Sequence, residues 1–232
     1  MFSEYKYKIE LHAHTNPASS CSDFTPEEVI KTYSEAGVDA VVITNHFCKS
    51  GSEIGKDEYI NRYLGDYRDA VSAGKKYGVN VILGMELRFS SENNNDYLVF
   101  GIDEDFISYA YDFLDCTLEE AYPHIKNDKN LIIQAHPKRK GIEPVDSAFL
   151  DGIEAFNMHP GHNNSPSMAC KIVHENPDLL IIAGSDYHHK NHEAGGLILS
   201  KNLPSDSFEL TKLLKSRDYL MSVGGYITIP YL

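Results

Sequence analysis

The chain contains 232 residues, of which 42% are hydrophobic, and its 34 acidic and 21 basic residues give a formal net charge of −13. This length favours one sizeable domain that spans residues 1–232, and the negative charge disfavours a surface that coats nucleic acid. No apolar run approaches the roughly 20 residues that cross a bilayer, so we expect no membrane partner. The four cysteines show no close pairing and no zinc-finger spacing, and the N-terminus lacks the apolar segment of a secretory signal, which together favour a cytoplasmic protein.

The predicted elements alternate between short apolar strands and helices. A strand at residues 9–11 leads into His12 and His14, and the first helix begins at Thr25, has a capping-box glutamate at Glu28 and ends at Gly37. The elements that follow are a strand at 41–45, a helix at 57–77, strands at 81–85 and 96–101, helices at 105–115 and 118–126, strands at 131–135 and 152–157, a helix at 166–175, a strand at 179–185 and a helix at 208–215. Strands interleaved with helices favour a parallel, wound α/β fold.

Five of these strands end at side chains of the types that bind metal ions: His12 with His14, His46, Glu86, His136, and Asp186 with His188. The carboxyl ends of parallel strands meet on one face of an α/β barrel, so these side chains are expected to converge. Each of them alone would more often be a buried polar residue than a ligand, but together they predict a metal-dependent enzyme. Mixed imidazole and carboxylate sets suit zinc, iron or manganese, and Glu86 or Asp186 could bridge two cations.

Six short motifs resemble those of the PHP (polymerase and histidinol phosphatase) domain family and stand in the family's order. They are Glu-Leu-His-Ala-His-Thr at 10–15, Cys-Ser-Asp at 21–23, Ile-Thr-Asn-His at 43–46, Gly-Met-Glu at 84–86, Ala-His-Pro at 135–137 and Gly-Ser-Asp-Tyr-His at 184–188. Glu10 and Asn45 stand where the family usually has aspartate. The resemblance covers nearly the whole chain and implies a distorted seven-stranded (β/α)7 barrel, two to three divalent metal ions (Zn, Fe or Mn) and, most often, phosphoester hydrolysis.

The resemblance also implies two further metal ligands. Asp23 belongs to the second motif, although it could simply be a turn residue before the first helix. Asp96 stands where the family usually supplies a histidine, and a carboxylate there can bind the same metals. The alternative for Asp96 is again a plain turn residue.

Two cationic residues and two histidines are candidates for substrate contacts. Lys138 and Arg139 follow His136 on the predicted metal face, where a guanidinium can bind a phosphate through two hydrogen bonds, although solvated loop charge is an equal alternative. His159 and His162 follow the strand at 152–157 and could line the mouth of the site. The commoner location of such histidines is the surface or a loop.

The sequence therefore predicts a metal-dependent phosphoric ester hydrolase, with Asp186 and His188 in its catalytic centre. A metal-activated water would attack a small phosphomonoester or a nucleotide phosphate, so a small phosphorylated substrate is the expected partner. The alternatives are a histidinol phosphatase, whose chains are usually somewhat longer, a non-catalytic metal-binding PHP module, and a metal-dependent hydrolase of C–N bonds. The sequence does not determine the oligomeric state.

Overall fold

The computed structural model describes residues 2–49, 54–92, 94–190 and 192–231, and these form a mixed α/β fold. The strands are β1 (Tyr7–Ala13), β2 (Ala40–Ile43), β3 (His46–Phe47), β4 (Asn80–Leu83), β5 (Met85–Leu87), β6 (Tyr97–Phe100), β7 (Leu131–Gln134), β8 (Gly152–Asn157), β9 (Leu180–Gly184), β10 (Gly196–Ser200), β11 (Leu220–Val223) and β12 (Tyr226–Thr228). The α-helices are α1 (Pro26–Glu35), α2 (Lys56–Tyr77), α3 (Glu104–Ala110), α4 (Leu118–Ile125), α5 (Pro166–Glu175) and α6 (Ser207–Ser216). Short 3-10 helices occur at Tyr111–Phe113 and Ser147–Phe149.

The described strands form two six-stranded sheets, in the orders β12-β11-β10-β1-β2-β4 and β3-β5-β6-β7-β8-β9. Only Thr44 and Asn45 separate β2 from β3, and only Gly84 separates β4 from β5, so two chain segments pass directly from the first sheet into the second. A bridge pairs Ala13 of β1 with Tyr187, just after β9. The ends of β1, β3, β5 and β9 therefore lie close together where the sheets meet.

The predicted parallel topology is right for only part of the fold. β1, β2 and β4 are parallel to one another, and so are β7, β8 and β9. The prediction is wrong for β6, which is antiparallel to both β5 and β7. The described residues of the link between β5 and β6 form no helix, and a parallel pair needs a long crossover connection. The antiparallel strands β10, β11 and β12 lie outside the seven predicted strands.

The helices begin and end largely where the sequence predicts. The Thr25 side chain accepts a hydrogen bond from the backbone N–H of Glu28, and the Glu28 carboxylate accepts one from the backbone N–H of Thr25, which completes the capping box of α1. α2 ends at Gly78, whose φ of 74° is a left-handed conformation that favours glycine. The helix predicted at 105–115 is shorter, because α3 ends at Ala110 and passes into the 3-10 helix.

The strands that carry the site are buried. Every residue of β2, β6, β7 and β9 is buried, as expected where a sheet is covered on both faces. The largest buried side chains include Tyr33 of α1, Phe47 of β3 and Tyr97 of β6. Among the helices that the structure describes, none combines the length and the apolar composition that a membrane span requires.

Candidate metal centre

The seven ligands predicted from the strand ends lie together in one cluster. His12 and His14 lie at the end of β1, His46 begins β3, Glu86 is in β5, His136 follows β7, and Asp186 and His188 follow β9. Six of the seven are buried, and His46 is partly exposed. So many ionisable groups are buried together only where partners offset the cost of removing them from water.

Glu86 lies at the centre of one half of the cluster. Its Oε1 is 3.2 Å from Nε2 of His12 and 3.2 Å from Nε2 of His136, and its Oε2 is 2.6 Å from Nδ1 of His46. One carboxylate thus faces imidazoles from β1, from β3 and from the segment after β7. Glu86 would hold divalent cations together with these imidazoles.

Asp186 has the same position in the other half. Its Oδ1 is 3.5 Å from Nε2 of His12, 3.5 Å from Nε2 of His14 and 3.3 Å from Nδ1 of His188. His12 contacts both carboxylates, so the two halves form one continuous site.

A carboxylate that the sequence analysis did not single out orients His12. Glu154, in the middle of β8, is buried, and its Oε1 lies 2.8 Å from Nδ1 of His12. Its Oε2 accepts hydrogen bonds from the backbone N–H of His136 at 3.1 Å and from Nδ2 of Asn157 at 2.9 Å. A Cβ at Gly184 would collide with Oε1 of Glu154, so glycine is required there. Because Glu154 accepts the Nδ1 proton of His12, the neutral form of this imidazole has its lone pair on Nε2, which faces the carboxylates of the cluster.

His14 is oriented in the same sense by a chain of hydrogen bonds. The backbone N–H of Thr15 donates to Oδ1 of Asn45 at 2.7 Å, which identifies that atom as the amide oxygen. The Ser19 hydroxyl donates to the same oxygen at 2.9 Å, so Ser19 Oγ must accept from Nδ1 of His14, 3.1 Å away. In the neutral form of His14, Nε2 therefore carries the lone pair as well. Asn45, which replaces the family's aspartate, supports this arrangement through Ser19.

Glu10 ties β1 to the segment that carries Asp186. Its Oε1 accepts the backbone N–H groups of His12 at 2.8 Å and Ser185 at 2.9 Å, and its Oε2 accepts the hydroxyl of Tyr33 at 2.8 Å. Burial raises the pKa of Glu10 to about 7 although these hydrogen bonds oppose the rise. The longer side chain in place of the family's aspartate thus links β1, α1 and the end of β9.

Asp96 lies in the cluster just before β6. It is buried, and its Oδ2 is 3.7 Å from Nε2 of His136. Arg88 holds its carboxylate through two hydrogen bonds of 2.6 Å, from Nε to Oδ1 and from Nη2 to Oδ2. Burial and the charge of Glu86 raise the pKa of Asp96, against the opposing effect of Arg88. The geometry is therefore open to metal ligation, which for Asp96 stays a prediction.

Asp23 is the one predicted ligand that lies apart from the others. Its side chain is 54% exposed, and its Oδ2 is 2.9 Å from Nδ1 of His189. Cys21 instead approaches the cluster. Desolvation raises the pKa of the Cys21 thiol, but hydrogen bonds with the imidazoles of His188 and His46 outweigh it and bring the pKa to about 6. Because zinc accepts thiolate ligands, Cys21 is a candidate ligand that the sequence analysis missed.

The charges in the cluster depend strongly on one another. Burial lowers the pKa of His12, but the carboxylates of Glu154, Asp186 and Glu86 outweigh it and raise that pKa well above the usual value. Burial and two neighbouring imidazoles lower the pKa of His14. Burial alone would raise the pKa values of Glu86 and Asp186, but the surrounding imidazoles hold both well below the usual range. Both carboxylates are thus ionised and ready to bind cations.

Two residues of the cluster have an uncommon backbone conformation. His136 has a φ of 32° and Asp186 a φ of 53°, in the left-handed region that side chains with a Cβ rarely adopt. Each such residue costs on the order of 1–3 kcal/mol, and such residues are concentrated at functional sites. The fold therefore loses some free energy of folding in order to orient the side chains of His136 and Asp186 toward the cluster.

The donor set fits divalent cations. Three triplets have ligand atoms that lie within 4.8 Å of one another: His14, His46 and His188; His12, His14 and Asp186; His46, Glu86 and Asp96. Nε2 of His12, Nε2 of His14 and Nδ1 of His136 are buried and have no hydrogen-bond partner among the described residues. The lone pair of a neutral imidazole nitrogen repels the carboxylate oxygen that it faces, unless a proton or a metal ion lies between the two atoms. Divalent cations bound among these carboxylates would satisfy the Nε2 atoms of His12 and His14.

The predicted cationic residues differ in placement. Arg139 lies against the cluster, because Nη2 donates to Oδ2 of Asp186 at 2.6 Å and to Oδ1 of Asn157 at 3.1 Å, while Nε donates to Oδ1 of Asn164 at 2.9 Å. Lys138 is partly exposed, and no contact described for it joins it to the cluster.

The histidines after β8 also lie beside the cluster. The ring of His159 is 5.7 Å from that of His188 and 4.5 Å from those of His162 and His192. Burial lowers the pKa of His159 to about 4 and also lowers the pKa of His162. Both are neutral near pH 7, so they can donate hydrogen bonds at the mouth of the site but add no charge there.

Comparisons with known proteins agree with this geometry. Residues 10–193 match the model of the PHP domain family. A DNA polymerase III of the PolC type from Oceanobacillus iheyensis is 28% identical over 123 residues, which cover 47% of this chain and 8% of the polymerase. The chain is thus similar to a small part of that relative.

Three solved structures have the same fold. A two-domain protein from Bacteroides vulgatus, which contains a predicted PHP-like metal-dependent phosphoesterase, has a TM-score of 0.68 at 15% identity over 95% of this chain and 66% of that protein. An amidohydrolase from Chromobacterium violaceum, with sulfate bound and no metal, has a TM-score of 0.54 at 15% identity over 79% of this chain and 88% of its own. PsfC from Pseudomonas syringae has a TM-score of 0.55 at 14% identity over 83% of this chain and 80% of its own.

Proposed function

The chain belongs to the PHP domain family, and from this membership and the geometry of the cluster we propose that it is a metal-dependent phosphoesterase. Its substrate would be a small phosphomonoester or a nucleotide phosphate. One observation carries the proposal. The buried Nε2 atoms of His12 and His14 face the carboxylates of Glu86 and Asp186 and have no hydrogen-bond partner among the described residues.

Two to three Zn, Fe or Mn ions would be held by His12, His14, His46, Glu86, Asp96, His136, Asp186 and His188, with Cys21 as a further donor. Such ions, when bound, act as Lewis acids toward phosphoryl oxygens and lower the pKa of water toward neutrality. Glu154 and Ser19 hold the Nδ1 protons of His12 and His14, so that the neutral imidazoles, the form that ligation needs, present the lone pair on Nε2.

Arg139 would bind and orient the ester. Its Nε and Nη2 are already committed to Asn164, Asn157 and Asp186, so the guanidinium is held rigidly beside the cluster. None of its described hydrogen bonds uses Nη1, whose two N–H groups can donate to phosphoryl oxygens. Because the side chain is already ordered, little conformational entropy is lost when the phosphate binds.

Three alternatives remain from the sequence. A histidinol phosphatase would use the same donors on one particular ester. A non-catalytic metal-binding module would retain the family's fold without turnover, but it would have no use for a guanidinium fixed beside the ligands. A hydrolase of C–N bonds needs no phosphate-binding cation, so Arg139 disfavours it as well.

We propose two further points about the chain. The segments β1, β2–β3, β4–β5, β6, β7, β8 and β9 would form the distorted seven-stranded barrel, and the bridge between Ala13 and Tyr187 supports its closure. A cytoplasmic location agrees with the absence of a disulfide bond among the described cysteines.

The proposed function is tested by release of inorganic phosphate from a panel of phosphomonoesters and nucleotides. Chelation should abolish turnover, and added Mn or Zn should restore it. Glu86→Ala and His188→Ala should each lower kcat by orders of magnitude, because bulk water cannot replace a metal-activated nucleophile. His174→Ala, at an exposed position on α5, is the matched control and should behave as wild type. A fully metallated wild-type protein that hydrolyses nothing on the panel would instead be the non-catalytic module.

A further inference from the structure

A cavity of about 330 Å³ opens beside His46 and Cys21, and Arg139 is not among the described residues that line it. We call it the arginine pocket. Its walls include Arg62 and Tyr59 from α2 and Arg88, just after β5. A group bound at the metal centre would thus have this cavity next to it.

The lining of the arginine pocket contrasts with the charge of the chain. The chain carries a formal net charge of −13, yet none of the described residues that line the pocket is an aspartate or a glutamate, and two are arginines. Serine and cysteine side chains supply most of the other polar groups. This lining favours an anion over a cation or an apolar ligand.

The two arginines contribute in different ways. Arg88 is fixed by its two hydrogen bonds to Asp96, which leave Nη1 uncommitted among the described contacts. Arg62 forms no ion pair with any described residue and is anchored by one hydrogen bond, from Nη2 to the backbone carbonyl of Pro17 at 2.7 Å. Arg62 therefore supplies a positive charge that no described ion pair holds. The Asp66 carboxylate offsets this charge in part, because the charge of Arg62 opposes the rise that burial causes in the pKa of Asp66.

Tyr59 is a fixed part of the lining of the arginine pocket. Its hydroxyl accepts the backbone N–H of Cys48 at 3.0 Å, and its ring packs edge-on against Phe47 with the centroids 5.3 Å apart. His46 belongs both to this lining and to the cluster, so the pocket adjoins the candidate metal centre and could hold the far end of a small ester.

We propose that the arginine pocket binds a second anionic group of the substrate, so that the hydrolysed compound carries a phosphate or a carboxylate in addition to the scissile phosphate ester. This inference rests on the proposed function and makes its substrate class narrower. A guanidinium matches the geometry of both oxyanions, so their shared chemistry is what the pocket recognises.

The test compares three ester series of two to six carbons on the metal-loaded protein. They are α,ω-alkanediol bisphosphates, ω-phosphonooxy carboxylates, and plain alkyl phosphates of equal length. The best dianionic ester should have a kcat/KM about 10-fold to 100-fold above that of its alkyl counterpart, as hydrogen bonds to charged groups contribute. Whichever second group gives the larger ratio identifies the source of the anion. The absence of any such preference at every length would overturn the proposal.

Arg62→Gln should reduce this ratio to about that of the alkyl series, because the amide can still donate to Pro17 but carries no charge. Arg68→Gln is the matched control on the same helix, since Arg68 pairs with Glu104 outside the pocket. The control should keep the full preference. A preference that survives in Arg62→Gln would show that another group recognises the second anion and would also overturn the proposal.

A binding experiment separates this proposal from the proposed function. Calorimetry measures binding of α,ω-alkane bisphosphonates and alkyl phosphonates, which are not hydrolysed. Tighter binding of a bisphosphonate that depends on Arg62 would support the arginine pocket even if no ester is turned over, in which case only the phosphoesterase function fails. Equal binding of both classes by wild type and Arg62→Gln would overturn the pocket whatever the activity.

Discussion

Replacing Glu154 by glutamine should weaken metal binding through the tautomer of His12. Oε2 of Glu154 accepts two N–H groups, from His136 and Asn157, whereas Oε1 faces only Nδ1 of His12, 2.8 Å away. The single oxygen of glutamine is therefore expected at the Oε2 position, with its NH₂ group against Nδ1 of His12. That nitrogen must then accept a hydrogen bond, and the proton moves to Nε2, where it blocks the lone pair that faces Glu86 and Asp186.

The expected loss is about 10-fold to 100-fold in metal affinity, typical of the residue that orients a ligating histidine. This equals about 1.4–2.8 kcal/mol of binding free energy. Glutamine fills the same volume as glutamate, so no cavity forms. The free energy of unfolding of the metal-free protein should therefore fall by at most about 3 kcal/mol, the upper cost of a buried polar group without a matching partner. The change in binding should therefore be measurable on folded protein.

The assay is a zinc titration in competition with a chromophoric chelator, with the fold checked by thermal unfolding of the metal-free protein. Glu175→Gln is the control, because Glu175 lies on the exposed face of α5, 3.5 Å from Lys171. Zinc affinity of Glu154→Gln within twofold of wild type would refute the tautomer argument. The same loss in Glu175→Gln would show that the effect is one of overall charge.

Three further predictions follow from the cluster. Elemental analysis of protein purified without chelators should find at least two equivalents of Zn, Fe or Mn, and less than half an equivalent after reconstitution would contradict a clustered centre. Asp96→Ala should remove one metal ion and leave Arg88 unpaired, whereas Asp96→His should retain the ion. If the metal content is unaltered in both variants, Asp96 is not a ligand and serves only in the ion pair with Arg88. Burial raises the pKa of Glu10 from 4.5 to about 7, so the folded metal-free protein keeps a proton on Glu10 that the unfolded chain loses, and the contribution of Glu10 to stability should fall by about 3 kcal/mol as the pH rises through this interval. The difference between the free energies of unfolding of wild type and Glu10→Gln, measured in urea, should change by this amount over the interval, and the same pH dependence in both proteins would contradict the prediction.

The placement of the seven strand-end ligands could be predicted because it depends on local pattern. A short apolar strand that stops at a histidine or a carboxylate has few places to put that side chain, and parallel neighbours bring the ends together. β6 shows the limit of this reasoning. Its antiparallel direction depends on pairing with β5 and β7, which the apolar run at 97–100 does not specify.

The residues that support the ligands were harder to predict because their partners are distant in sequence. Glu154 lies 142 residues from His12, and the only local sign was an acidic side chain inside an otherwise apolar strand. The choice between Cys21 and Asp23 depends on how the loop turns. The backbone N–H of Asp23 donates to the carbonyl of His188 at 2.9 Å, a contact that directs the Asp23 side chain outward.

The position of β1 has a consequence for how the protein is made. β1 lies between β2 and β10, and Ile9 pairs with Ile198, so one edge of β1 stays unpaired until the segment that contains Ile198 has left the ribosome. The link from Ser185 to Glu10 likewise joins residues 175 positions apart. Such distant contacts slow folding and expose unpaired strand edges for longer. Until they form, the nascent segment presents His12 and His14 without their carboxylate partners, and the complete centre can take up its ions only after synthesis has passed His188.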